Sequence, residues 1–242
     1  MDIINKLNKL TNEPIDDMMV IEFNEIDFSD CKDKADKLLK FFIENNILSL
    51  AKLFIKIGAN IHVDNDLALR WASENGHTAI VKLLLDKGAD IHACDDYALR
   101  WGSCNGHTET VKLLLDKGAD IHADNNDALC WASYNGHIET VKLLLDRGAD
   151  IQAKNDFTLR STSQNGHAEM IEFLLDRGAD IHADNDCALR LASSNGNTEI
   201  VKLLLNRGAD IHADNDCALR WASEYGHTET VKVLKEYMKK NN

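Results

Sequence analysis

The chain has 242 residues, a formal net charge of −13 and 44% hydrophobic residues. That charge disfavours nucleic-acid phosphate and anionic lipid as partners. No apolar run reaches the ~18–20 residues of a membrane span, and the polar residues of MDIINKLNKL break up the apolar stretch a signal peptide needs. The expectation is a soluble protein inside the cell. Its six cysteines (Cys31, Cys94, Cys104, Cys130, Cys187 and Cys217) form no CxxC. Cys187 and Cys217 hold equivalent places in successive copies of a repeat. Helices pack ~8–10 Å apart and a disulfide needs Cα atoms within ~7 Å, so all six are expected to be reduced, packing as small apolar groups.

Residues 1–30 carry no repeat and are read as an N-terminal extension or cap. Ile3, Ile4, Leu7 and Leu10 have helical spacing, and Asn12, Glu13 and Pro14 end the pattern. The apolar patch at 18–23 suits packing on the first repeat, or docking of a partner. Residues 31–60 are a worn copy, in which Asn46 replaces an inter-helix glycine. Five full copies follow over 61–210. The glycine of the GA pair falls at Gly58, Gly88, Gly118, Gly148, Gly178 and Gly208, a constant period of 30. A fixed period in this range signals a solenoid.

Unit 61–90 illustrates the reading. Asp66 precedes Ala68, Leu69 and Trp71 and reads as the N-cap of a first helix, which Gly76 stops. Thr78 starts a second helix whose apolar face is Ile80, Val81, Leu84 and Leu85, and Gly88 ends it. Unit 211–242 begins alike, but Lys235 and Met238 replace Leu85 and Gly88. It is read as a C-terminal capping repeat whose last helix runs into Lys239 and Lys240, cations that suit a helix C-terminus.

GH after the first helix, then an apolar helix ending LLL-D-K/R-GAD and the I-H-A that follows, resembles the ankyrin repeat over residues 31–242. The resemblance implies an all-α ankyrin-repeat solenoid: stacked helix-turn-helix units with a projecting finger loop, acting in protein–protein interaction. These repeats have 30 residues where the usual length is about 33. The loop before the first helix is shortened, and Leu67-Ala68-Leu69-Arg70 replaces the usual Thr-Pro-Leu-His. The fingers are therefore expected to be short for a β-hairpin. The acidic 30-residue wording is also similar to ankyrin proteins of giant amoebal viruses, which implies a viral protein in host cytoplasm.

The ten histidines form two columns, one with His77, His107 and His137, the other with His62, His92 and His122. One repeat separates neighbours by ~10 Å, and two ligands of one zinc ion lie within ~4 Å of each other. No metal and no cofactor are expected, and the resemblance implies that the histidines brace loops. Asp66 and Arg70 recur at i,i+4 spacing, the reach of an ion pair, as a structural column or as a rail of arginines facing an acidic ligand. Trp71, Trp101, Trp131 and Trp221 share another column, packing between first helices or forming an exposed aromatic stripe.

No nucleotide, metalloprotease or hydrolase motif occurs, and a carboxylate repeated in every loop lacks the special environment a catalytic pair needs. An enzyme is not expected. Two columns vary freely: Leu67, Tyr97, Asp127, Phe157, Cys187, Cys217; and Glu74, Cys104, Tyr134, Gln164, Ser194, Glu224. In ankyrin proteins both lie on the concave side. Leu67, Glu74, Tyr97, Tyr134, Phe157 and Gln164 are the candidate partner-binding residues, against surface drift. The aspartate-rich loops favour a protein partner with a basic surface, bound by a monomer. Two other readings stay open, recruitment of host machinery through residues 1–30 and a self-associating virion component.

Overall fold

A computed structural model describes residues 32–56 and 58–241. Every expectation placed on residues 1–30 lies outside them. The described residues form 14 helices and no strand. They belong to two compact units, Met1–Ala72 with His77–Asp90, and Ser73–Gly76 with Ile91–Asn242.

The first unit holds α1 (Lys32–Glu44), α2 (Leu48–Lys56), most of α3 (Val63–Glu74) and α4 (Thr78–Asp86). Helix α1 packs on α2, and α2 on α4. Their apolar stripes close over Leu39, Phe42, Leu50, Phe54, Leu69 and Leu84, all fully buried. Asn46 takes the left-handed conformation, φ 57°, that glycine takes in the full copies.

The second unit holds five helical hairpins: α5 (Ala93–Cys104) with α6 (Thr108–Asp116), α7 (Ala123–Tyr134) with α8 (Ile138–Asp146), α9 (Ala153–Asn165) with α10 (Ala168–Asp176), α11 (Ala183–Ser194) with α12 (Thr198–Asn206), and α13 (Ala213–Glu224) with α14 (Thr228–Asn241). First helices stack on first helices, α5 on α7 through to α11 on α13. Val111, Val141, Ile171 and Val201, with Leu114, Leu144, Leu174, Leu204 and Leu234, form a dry seam along the second helices. The two positions in each helix are three residues apart, which places them on one helical face.

The shortened loop is the main departure from expectation. Each first helix of the full copies opens with three successive residues at positive φ, such as Asp184, Asn185 and Asp186 at 52°, 53° and 53°. The equivalents are 64–66, 94–96, 124–126, 154–156 and 214–216. This is one turn of left-handed helix. It costs an ordinary residue roughly 1–2 kcal/mol, and Asn and Asp visit it most readily because their short side chains bond locally. All of these positions are Asp or Asn except Cys94 and Lys154. Asp66 is therefore not an N-cap. It is the third residue of the turn, φ 53°, and its Oδ1 accepts the Asp90 amide at 3.1 Å rather than an amide of its own helix.

Asn185 is exposed, so its substitution tests conformation alone. Asn185→Ala is expected to lower unfolding free energy by about 1 kcal/mol and Asn185→Gly to leave it equal or higher, read by urea denaturation. Gly106 adds a second test, because at φ +72° a new Cβ would meet the His137 ring at 2.5 Å, whereas Gly118, at φ +99°, has open space. Gly106→Ala is expected to destabilise more than Gly118→Ala.

Candidate interaction surface

The left-handed turns set up two ladders of polar contacts. In the first, the third turn residue accepts the backbone amide 24 residues on: Asp120 N to Asp96, Asp150 N to Asn126, Asp180 N to Asp156 and Asp210 N to Asp186, at 2.7–2.9 Å. Its other neighbour is the histidine four residues back, as in His92 Nδ1 with Asp96 at 3.1 Å and His122 Nδ1 with Asn126 at 3.1 Å. In the second ladder the arginine four residues after the left-handed turn folds back on it. Arg190 donates to Asp184 O and Asn185 O, and its Nη1 reaches Asp214 of the next repeat. Arg100 and Arg160 reach Asp124 and Asp184 in the same way.

The predicted i,i+4 pairing of aspartate with arginine is thus replaced. The left-handed turn carries the carboxylate towards its own histidine and the exit of the hairpin. Arg70 Nε accordingly donates to Asn65 O at 3.0 Å, while Asp66 Oδ1 contacts His62 at 3.0 Å. Arg100 and Arg190 are only 16% and 12% exposed at the side chain. Both are built into the scaffold, whereas Arg220 at the end of the column is exposed. One copy varies the pattern: Cys130 replaces the arginine, and Lys154 pairs with the buried Asp127, which also takes Arg100.

The GH histidines lie across repeat boundaries. His107 Nε2 is 3.0 Å from Glu74 O, His227 Nε2 2.9 Å from Ser194 O, and His77 Nε2 3.4 Å from Glu44 O. The His137 ring packs against Gly106. Asn197, standing for the histidine, keeps the contact by donating to Ser163 O and Gln164 O. Gly88, at φ 92°, ends α4 where Lys87 N still reaches the last turn. Among the described residues no three His, Cys, Asp or Glu side chains gather as a metal site.

The first helices of the second unit carry an aromatic surface. Tyr97 stacks on Trp101, ring centroids 5.5 Å apart, and its hydroxyl donates to Glu74 at 3.0 Å. Trp131 meets Tyr134 edge-on, also at 5.5 Å. Trp101 is 39% exposed, Trp131 40% and Tyr134 37%. At these two places the tryptophan column therefore stands partly in solvent. At the same position Ser161 is buried, because a short side chain ends inside the rim that an indole overreaches. The spacings 97 to 101 and 131 to 134 are the i,i+4 and i,i+3 neighbours of a helix, a signal that could have linked these tryptophans to the variable positions.

The other candidates are dispersed. Phe157 and Glu74 are half-buried and Gln164 is exposed. Phe157 makes no ring contact with Tyr134 or Trp131 among the described residues. Leu67 lies in the first unit, lining a cavity of ≈ 370 Å³ with Leu39, Lys40, Ile43, Val63 and Trp71. Lys40 Nζ sits 4.1 Å over the Trp71 ring.

Burial pushes the Cys130 thiol up to about 11 and raises Cys104 and Cys187 as well. Cys94, on a left-handed turn, is exposed, contrary to the expectation that the cysteines pack inside. Among the described cysteines, iodoacetamide at pH 8 should label Cys94 rapidly and the other four only on unfolding, as read by peptide mass spectrometry.

Burial also raises Asp156 above its usual 3.8, chiefly by desolvation, although the Asp180 amide lowers it. The histidine's place is held here by Gln152, which brings no positive charge. A raised carboxylate favours the protonated fold, so stability falls as pH rises through its folded pKa. Asp156→Asn, which copies Asn126, is expected to raise the melting temperature at pH 7. The gain should disappear as pH falls to about 3.8 and below.

Stacked helical hairpins repeated at fixed period make this a helical-repeat protein. A sequence profile described as ankyrin repeats (3 copies) matches residues 12–95, 92–155 and 159–242. The chain belongs to the ankyrin repeat family, whose members generally serve as protein-interaction modules without catalysis. Among solved structures it is similar to the crystal structure of the human ASB11 ankyrin repeat domain, with TM-score 0.73 and 23% identity, covering 81% of this chain and 96% of that one. No curated protein matches the sequence. No helix among the described residues is long and apolar enough to cross a membrane.

Proposed function

We propose that the chain is a non-catalytic binding module that holds a protein partner on the face built by its first helices, the concave face in this family. The observation that supports this most is the pair of exposed tyrosine–tryptophan contacts, Tyr97 with Trp101 and Trp131 with Tyr134. Large aromatics on a rigid scaffold bury much surface at little cost in ordering, and they dominate interface energetics. The net charge of −13 and the exposed turn aspartates Asp64, Asp95, Asp124, Asp184 and Asp214 favour a partner with a basic surface by steering. The reading extends to a viral protein that acts as a monomer and meets a host partner in the cytoplasm.

The test is affinity capture from host-cell lysate with the intact protein beside Tyr97→Ala, Tyr134→Ala, Phe157→Ala combined, after circular dichroism has established that both fold. Capture by the intact chain and its loss in the variant is the expected result. Each aromatic at a hot spot should contribute about 30-fold in affinity or more. Equal capture by both proteins would refute the reading.

A further inference from the structure

We infer that Trp101 and Trp131 are two seats for cationic side chains, spaced to take a basic segment in polyproline II conformation with arginine at i and i+3. The inference rests on the first-helix face being the binding surface.

The protein itself shows what this tryptophan column does with a cation. Lys40 Nζ lies 4.1 Å over the Trp71 ring, and the Arg190 guanidinium lies 5.7 Å over Trp221. In both pairs the cation comes from the first helix of the preceding repeat, 31 residues earlier. Among the described residues no basic side chain lies over Trp101 or Trp131. For Trp131 the reason is visible. The residue 31 positions earlier is Arg100, and its guanidinium is held by Asp124, Asp127 and the carbonyls of Cys94 and Asp95. Asp127 occurs at this place in no other copy, and it draws the arginine away from the ring.

The two unoccupied rings are also the two exposed ones, at 39% and 40%. An indole face attracts a guanidinium within about 6 Å. Each ring is walled by a tyrosine, Tyr97 stacked beside Trp101 and Tyr134 edge-on to Trp131. At the first seat the Glu74 carboxylate, held by the Tyr97 hydroxyl at 3.0 Å, adds a negative charge. At the second seat the Arg100 guanidinium is already committed to carboxylates and carbonyls and is not offered to an anionic ligand.

Spacing selects the segment. The seats are equivalent positions of successive packed helices, about 8–10 Å apart. Polyproline II rises ~3.1 Å per residue with three residues per turn, so residues i and i+3 project on one side about 9 Å apart. In a β-strand the same two residues point to opposite sides.

The four tryptophans give one indole N–H signal each in a nitrogen–proton correlation spectrum, assigned with single Trp→Phe variants. The probe is the acetylated peptide Gly-Arg-Pro-Pro-Arg-Gly, titrated into the full chain beside a control with glutamine at both arginine positions. Saturable shifts of the Trp101 and Trp131 indoles are expected, with Trp71 and Trp221 unmoved and the control peptide silent. Trp131→Leu should weaken the peptide about 2- to 30-fold, and Trp131→Phe less. Trp221→Leu, whose ring already carries Arg190, should leave affinity unchanged.

No shift at either seat, equal shifts at all four indoles, or equal response to the control would overturn the inference. If the lysate partner is captured and lost with the Tyr97, Tyr134 and Phe157 variant while the peptide binds nowhere, the surface reading stands and the cation seats do not.

Discussion

A backbone conformation that most residues resist governs how this chain connects one helical hairpin to the next. Three residues in a row at φ near +55° reverse the chain in a single left-handed turn, and apart from glycine only Asp and Asn adopt it at low cost. The turn makes do with fewer residues than a hairpin finger, and it aims its third carboxylate away from the helix it precedes. From that aim follow the amide contacts at 24 residues and the histidine contacts at four. The carbonyls exposed by the turn are in turn what each arginine folds back to meet. One local geometry thus accounts for the aspartate, asparagine, histidine and arginine columns together.

The hydrophobic seam was readable in the sequence because its cause is periodic. Leu114, Leu144, Leu174 and Leu204 recur every 30 residues, each three residues after a valine or isoleucine on the same helical face, and Gly88 and Gly118 mark helix ends by their position after it. The loop was harder to read. An aspartate just before an apolar helix is the ordinary sign of an N-cap, and nothing in the letters DND distinguishes an extended cap from a left-handed turn. The distinction arises from length: with three residues fewer than usual, the chain has no room for the extended approach.

The aromatic surface was half legible, for a related reason. Periodicity says which residues share a column, but it does not say where the rim of a packed stack lies. Ser161 and Trp101 share a column, yet one is buried and the other stands in solvent, because depth there is set by side-chain length. Variation at Tyr97 and Tyr134 pointed to the face on which Trp101 and Trp131 stand exposed, while these tryptophans looked like framework. Phe157 shared the variation but not the ring contacts.

The constant offsets of the ladders bear on how such a chain can lengthen. The contacts between repeats join residues 23 to 34 positions apart, so none reaches past the adjoining repeat. Duplicating or excising a block of 30 residues restores every donor to an equivalent acceptor, whichever residue the block begins on. A block of any other size leaves a left-handed turn facing the wrong amide. The same arithmetic confines the harm of a point substitution to two neighbours, so ring-bearing positions such as 97 and 134 are free to diversify copy by copy while the number of copies changes independently.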